Sequence, residues 1–129
     1  MLDKNKNYVV IGASKNKEKY GYKVLKDLKK SGYKVTPINL KEKEILGLKT
    51  YKNILDINFK IDVAIFVVQP KITEKILKEV KKIKIKKVWL QPGSENKKAV
   101  EYCEKNNIEC IHNSCIIINN NIINNNQES

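Results

Sequence analysis

The sequence predicts an α/β fold, in which a doubly wound, mainly parallel five-stranded sheet carries helices on both faces and so makes three layers. Apolar runs of strand length alternate along the chain with stretches of helical period. Residues 62–68 consist of Asp62 and an unbroken apolar run rich in β-branched side chains, which is typical of a strand covered on both faces. Strand followed by helix, repeated along the chain, predicts right-handed crossovers between parallel strands.

In the first half of the chain, residues 8–11 and 33–38 are the predicted strands. Between them, apolar residues at helical spacing predict a helix that Gly32 closes; they are Tyr22, Val24, Leu25 and Leu28. Gly47 is expected to end the structural element that precedes it. Residues 49–51 are expected to form a short strand, and residues 55–57 a turn or a partial helix.

In the second half, residues 62–68 are expected to be the central strand. A helix follows, with Ile72, Ile76, Leu77, Val80 and Ile83 at helical spacing. Residues 87–91 are the next strand. A third helix, marked by Ala99, Val100 and Cys103, ends near residues 106–107. Residues 109–112 are the last predicted strand.

A chain of 129 residues normally makes one domain, which we assign to residues 1–118. The Asn-rich tail, residues 119–129, is low in complexity and is expected to be partly disordered. No run of about 18 apolar residues occurs and the N-terminus lacks a signal-like apolar segment, so we expect a cytoplasmic protein away from the membrane. With three cysteines in such a chain, we expect no disulfide framework.

The formal charge of +12 comes from 26 lysines and no arginine. Proteins that read nucleic-acid sequence use arginine forks on guanine edges and phosphates, so specific nucleic-acid binding is not expected. The seven lysines in residues 75–87 are typical of the solvated face of a helix and of the residues that follow its end. A basic regulatory or nucleic-acid-binding module stays as an alternative, and the charge favours anionic ligands.

The first predicted strand leads into a loop of small residues, Gly12-Ala13-Ser14, and then to a helix start at Lys19-Tyr20-Gly21. Free backbone N–H groups at a helix N-terminus favour a phosphate. Ligands of such sheets bind at the carboxyl ends of the strands, where the strand order reverses. The segments that converge there are residues 12–20, 37–41, 68–70 and 91–94.

The end of the second strand separates the candidate ligands. An NAD site usually has Asp or Glu here for the ribose hydroxyls, whereas this chain has Asn39 and Lys41, with no acid before Glu42. That pattern favours a ribose that carries a phosphate, and so NADP or coenzyme A. Gly12 and Gly21 are too far apart for a compact G-x-G-x-x-G turn, which disfavours a conventional dinucleotide site.

Four motifs in order give the chain a family resemblance: residues 10–14, 19–24, 32–39 and 89–93 (Trp-Leu-Gln-Pro-Gly). Together they resemble the small stand-alone CoA-binding domain proteins over residues 8–115. The resemblance implies a Rossmann-like fold, related to the CoA-binding domain of the succinyl-CoA synthetase alpha subunit. It also implies that the ligand is CoA or an acyl-CoA.

The resemblance assigns site residues by matching motifs. Gly12, Ala13 and Ser14, with the helix start at Lys19, Tyr20 and Gly21, would meet the CoA phosphates. Pro37, Asn39 and Lys41 would flank the adenosine 3′-phosphate. Val68, Pro70 and Gln91 would line the path of the pantetheine arm. The chain departs from the family pattern at Leu40 and at Ile116, where the family often has proline.

The residues themselves give little support for catalysis or metal binding. His112 has no acid or serine partner at a recognisable spacing, and Cys103, Cys110, His112 and Cys115 lack the short paired spacing of zinc sites. We therefore expect no catalytic residue and no metal, with any chemistry supplied by a partner. An NADP- or other nucleotide-binding enzyme, a mixed disulfide at Cys115, and a homodimer through isoleucines near residues 116–123 stay open.

Overall fold

The computed structural model describes residues 2–117, and within them it has a five-stranded parallel sheet with the order β2-β1-β5-β6-β7. In chain order the elements are β1 (Asn7–Ile11), α1 (Tyr20–Lys30), β2 (Lys34–Ile38), β3 (Glu44–Ile45), β4 (Leu48–Lys49), a 3-10 turn (Ile54–Asp56), β5 (Val63–Phe66), α2 (Pro70–Lys82), β6 (Lys87–Leu90), α3 (Lys97–Lys105) and β7 (Glu109–Ile111).

The predicted α/β, Rossmann-like fold is confirmed. Every pair of neighbouring strands in the main sheet is parallel, and the strand predicted at 62–68 is central, as β5, between β1 and β6. Within residues 2–117, no helix combines the length and apolar character needed to cross a membrane. The predicted tail at 119–129 lies outside the described residues.

The strands of the sheet are buried on both faces, and an apolar cluster lies against each face. On one face, α1 packs against the sheet through the fully buried residues Val24, Leu25 and Leu28, with Tyr8, Val10, Ile65 and Trp89. On the other face, α2 and α3 supply Leu77, Val80, Ala99 and Cys103, which join Val9, Ala64, Phe66 and Leu90. The result is the three-layer arrangement that the alternating pattern predicts.

The segment between β2 and β5 contains a small antiparallel hairpin that the sequence did not predict. Strand β4 lies at Leu48–Lys49, one residue before the predicted start, and pairs with β3. Leu46 and Gly47 have φ values of 53° and 75°, and two successive positive φ values make the tight turn that joins antiparallel strands. Tyr51 forms a parallel bridge with Ile38 instead of belonging to the strand.

The chain order reverses between β1 and β5. From β1 the chain crosses to β2 on one side, whereas β5 leads to β6 and β7 on the other side. The loops that leave the carboxyl ends of β1 and β5 therefore diverge, and the sheet edge opens between them.

Gly12 and Gly21 pack backbone against backbone at this edge. A Cβ atom at Gly21, in the first turn of α1, would overlap the carbonyl oxygen of Gly12 and lie 3.2 Å from the Cα of Ala13. Eight residues lie between the two glycines in the sequence. They nevertheless have the same effect as the closely spaced glycines of a compact nucleotide-binding loop. Because neither has a side chain, the helix and the strand can approach closely.

We expect Gly21→Ala to destabilise the protein by about 2 kcal/mol, because the methyl group overlaps fixed backbone. Inside an exposed helix the same change would instead stabilise by about 1 kcal/mol. Urea unfolding measures the difference, with Lys26→Ala on the exposed side of α1 as the control, where the change should stay within about 0.5 kcal/mol. A more stable Gly21→Ala variant would contradict the packing described here.

Thr73 is the second position where we expect a change of stability. Its side chain is fully buried in the first turn of α2, and its hydroxyl has no hydrogen-bond partner among the described residues. Because valine has the same shape without the hydroxyl, Thr73→Val should raise the free energy of unfolding by about 1 kcal/mol. Urea unfolding tests this; a loss of stability would mean that the hydroxyl has a partner in solution.

Candidate functional site

A cleft of about 630 Å³ opens at the carboxyl edge of the sheet, where the strand order reverses. Its walls come from the loops after β1, β2 and β5, from the residues beside the 3-10 turn, and from one face of α2. The lining residues are Ile11, Gly12, Ala13, Lys19, Ile38, Asn39, Leu40, Lys41, Lys52, Asn53, Ile54, Val68, Ile72, Lys75, Ile76 and Glu79.

Gly12 lies where the loops after β1 and β5 meet. Its φ of +93° favours glycine, and a Cβ atom here would overlap the Val67 carbonyl oxygen and lie 2.8 Å from Cγ1 of Val68. Helix α1 starts shortly afterwards at Tyr20, with Lys19 as its N-cap and no side chain bonded to its first turn. The backbone around Gly12 and the uncapped start of α1 thus lie together at one end of the cleft.

Asn39 joins the loop after β2 to the loop after β1. Its Nδ2 donates to the Ala13 carbonyl oxygen at 2.8 Å, while its Oδ1 accepts from the backbone N–H groups of Lys41 and Glu42 at 2.8 and 2.9 Å. One side chain therefore holds both loops. Asn39 fixes the direction in which the chain enters Lys41.

Four lysines and one carboxylate line the cleft: Lys19, Lys41, Lys52, Lys75 and Glu79. The acid nearest to the end of β2, Glu42, is not a lining residue, and its Oε2 lies 3.0 Å from Nζ of Lys15. The formal charge of the lining side chains is therefore +3, which favours an anionic ligand.

The cleft also has apolar walls, formed by Ile11, Ile38, Ile54, Val68 and Ile76. Two further lining residues, Leu40 and Ile72, leave 78% and 45% of their surface exposed. Exposed apolar side chains beside a charged rim are typical of a site that binds an organic anion, since such a ligand has both charged and apolar parts.

The structure brings together about half of the residues that the sequence proposed for the site. Six of them line the cleft: Gly12, Ala13, Lys19, Asn39, Lys41 and Val68. Gly21 lies behind Gly12, and Tyr20 is 54% exposed at the start of α1. The Ser14 hydroxyl accepts from the Asn16 N–H at 3.0 Å, Pro37 is buried in β2, and Pro70 is the first residue of α2.

Gln91 is not a lining residue of the cleft. Its side chain is 1% exposed; its Oε1 accepts from the Ile116 N–H at 2.8 Å and its Nε2 donates to Sγ of Cys115 at 3.4 Å. Trp89 anchors the same segment through Nε1, which donates to the Ser114 carbonyl oxygen at 2.8 Å. Trp89 and Gln91 together therefore hold residues 114–116 against the end of β6.

Sequence reasoning missed the lining residues that lie outside the four strand-end loops. They are Ile11, Lys52, Asn53, Ile54, Ile72, Lys75, Ile76 and Glu79. The helical spacing of Ile72 and Ile76 placed both on the apolar face of α2, where Ile76 packs against the core and Ile72 is 45% exposed. No sequence pattern indicated Lys52 and Asn53, since it is the bridge between Tyr51 and Ile38 that brings them to the carboxyl edge of the sheet.

The cysteines and the histidine lie away from the cleft. Cys103 donates a side-chain hydrogen bond to Cys110. This bond, with burial, raises the pKa of the Cys103 thiol. At Cys110 the same bond outweighs the opposing effect of burial, so the pKa of that thiol is lowered. His112 directly follows β7 at the far edge of the sheet. In residues 2–117, no group of three or more His, Cys, Asp or Glu side chains is placed to hold a metal ion.

We expect Asn39→Ala to lower the free energy of unfolding by about 2 kcal/mol, because three hydrogen bonds to backbone groups are lost together. Asn16→Ala removes one exposed bond to the Glu18 N–H and should change stability by about 0.5 kcal/mol or less. Urea unfolding of both variants checks this. Equal effects would mean that Asn39 does not join the loops.

Known proteins resemble this chain over most of its length. An acetate–CoA ligase (ADP-forming) of Methanocaldococcus jannaschii is 37% identical over 127 residues, and the alpha subunit of acetate–CoA ligase (ADP-forming) II of Pyrococcus furiosus is 36% identical over 122. These matches cover 92% and 86% of this chain but 18% and 27% of the relatives, so the chain spans less than a third of their length.

A solved structure and a family model agree with these relatives. A conserved hypothetical protein from Pyrococcus furiosus has 38% identity and a TM-score of 0.85, over 88% of this chain and 98% of that one. The model of the family described as "CoA binding domain" matches residues 6–121, nearly the whole chain. This protein therefore belongs to the CoA binding domain family.

Proposed function

We propose that the cleft binds coenzyme A or an acyl-CoA and that this chain supplies the binding site rather than the chemistry. The observation that carries the proposal is the combination, at one sheet edge, of the open backbone at Gly12, four lysines and an apolar wall. CoA has phosphates at one end and a long, weakly polar arm at the other. A site with both kinds of wall suits such a ligand.

The charge at the end of β2 supports CoA over NAD. An NAD site needs an acceptor for the ribose hydroxyls, usually a carboxylate at this position. Here Lys41 lines the cleft, while Glu42 is turned toward Lys15. In our proposal Lys41 and Lys52 face the 3′-phosphate, and the backbone around Gly12 with Lys19 faces the diphosphate.

NADP is the second candidate, because its ribose phosphate would meet the same lysines. The apolar residues of α2 favour CoA, since Ile72 and Ile76 extend the cleft with side chains that cannot hydrogen-bond a nicotinamide carboxamide. Glu79 carries the one carboxylate among the described residues that line the cleft. The side chain of Asn39 already makes hydrogen bonds to three backbone groups.

The similarity to acetate–CoA ligases suggests where the chemistry comes from. This chain matches only a part of those enzymes, and one of them is the alpha subunit of a multi-subunit ligase. We therefore propose that a partner protein acts on the CoA ester held in the cleft, and that His112 and the three cysteines have no part in it.

Calorimetric titration with CoA, dephospho-CoA, NADP and NAD tests the proposal. CoA should bind with a dissociation constant below about 1 mM, and Lys41→Ala should weaken it about tenfold, because one charge-assisted phosphate contact is lost. Dephospho-CoA lacks the 3′-phosphate, so the same variant should change its affinity by less than about twofold.

Lys43→Ala is the matched control, because Lys43 is exposed and close to Lys41 but is not among the lining residues. It should leave the affinities for both ligands unchanged. Equal losses for CoA and dephospho-CoA in Lys41→Ala would remove Lys41 from the 3′-phosphate. Preferential binding of NADP would replace CoA as the ligand.

A further inference from the structure

A second, smaller cavity of about 450 Å³ lies between α2 and α3, outside the CoA cleft. We call it the interhelix groove. It is lined by Lys71, Glu74, Lys75, Lys78, Lys98 and Tyr102. Lys71, Lys75 and Lys78 are spaced so that they share one face of α2, and Lys98 and Tyr102 are four residues apart on α3. The two helices thus present cations toward the same space.

The charges of the interhelix groove are not balanced by the protein. Within the described part of the chain, none of its four ammonium groups lies within 4 Å of a carboxylate, whereas Lys15, Lys60, Lys87 and Lys97 each do. The single lining acid, Glu74, accepts a hydrogen bond from Nδ2 of Asn96 at 3.0 Å. Lys71 and Lys75 are four residues apart on α2 and repel each other, whereas Glu74 and Glu79 are four residues from Lys78 and Lys75. Four ammonium groups and the carboxylate of Glu74 give the groove lining a formal charge of +3.

The four lysines of the groove are exposed, and an aromatic side chain forms the wall between them. Tyr102 is half-buried against the apolar cluster under α2 and α3, and it forms part of the wall. The volume is within the range of small-molecule sites. Lysines farther along α2, Lys81 and Lys82, line neither cavity.

We propose that the interhelix groove binds a compact oligophosphate, separate from the CoA site. Ammonium groups act as point charges toward phosphate, so several of them around a small volume suit adjacent phosphates better than one carboxylate. Lys75 lines both the groove and the CoA cleft, and so the two ligands bind side by side. A nucleoside diphosphate and free inorganic triphosphate share this chemistry.

The test is a calorimetric titration of the CoA-saturated protein with inorganic triphosphate and, separately, with ADP, at about 150 mM salt so that long-range attraction is screened. The groove variant combines Lys71→Gln, Lys78→Gln and Lys98→Gln, none of which lines the CoA cleft. The matched control combines Lys81→Gln, Lys82→Gln and Lys86→Gln, which remove the same charge elsewhere.

We expect one triphosphate per chain, with affinity about tenfold or more weaker in the groove variant and within about twofold of wild type in the control. Tighter binding of ADP would assign the site to a nucleotide, and tighter binding of triphosphate to free oligophosphate. Amide NMR shifts should move along residues 71–78 and 98–102 and not along 81–86. These shifts identify the site without any substitution.

Equal weakening in both variants, or several weak sites per chain, would overturn the proposal, because either result means diffuse attraction to the net charge. Tighter binding of a short DNA duplex than of triphosphate, lost in the groove variant, would overturn it in favour of nucleic acid. The groove variant should keep the CoA affinity of wild type. If CoA does not bind at all, titration of the free protein with triphosphate still tests whether the groove binds an oligophosphate.

Discussion

The close approach of backbones around Gly12 is the contact on which the rest of the site depends. On one side the Val67 carbonyl oxygen of the loop after β5 leaves no space for a Cβ atom, and on another Gly21 brings the first turn of α1 against the Gly12 carbonyl. This contact sets how far apart the loops after β1 and β5 lie. It also decides where the uncapped start of α1 lies relative to the edge of the sheet.

Partly buried hydrogen bonds then carry this geometry to neighbouring loops. Asn39 ties the loop after β2 to Ala13, and Ser94 accepts from the Val68 N–H at 3.1 Å, which ties the loop after β6 to the loop after β5. Because these bonds use backbone groups that no strand or helix satisfies, each also prevents the cost of an unpaired polar group. The mouth of the cleft is therefore held by the protein before any ligand arrives.

The distribution of charge gives the site its chemical character. Lysines are spread over the whole surface, and the acid nearest to the end of β2, Glu42, is paired with Lys15 instead of lining the cleft. What remains facing the cleft is a cationic rim around an apolar wall. Membership of the CoA binding domain family fits this combination, and the interhelix groove beside it extends the cationic surface through Lys75.

Most of the fold could be predicted from the sequence, and six of the sixteen residues that line the cleft. Alternating apolar patterns identified each strand of the main sheet and each helix to within a few residues, because burial on a sheet face or a helix face repeats at a fixed period. The hairpin of β3 and β4 was missed, since two residues per strand are too short to show a period and the turn rests on the positive φ of Leu46.

By itself the sequence determined the order of the elements, the central place of β5, the glycine loop after β1 and the lack of an acid at the end of β2. Each of these is a property of neighbouring residues. Only the tertiary structure decided that Gly21 meets Gly12, that Lys52 and Lys75 join the cleft, and that Gln91 is hydrogen-bonded to Cys115 and Ile116. Those contacts join residues far apart in the chain, and their distances depend on how the helices and loops pack on the sheet.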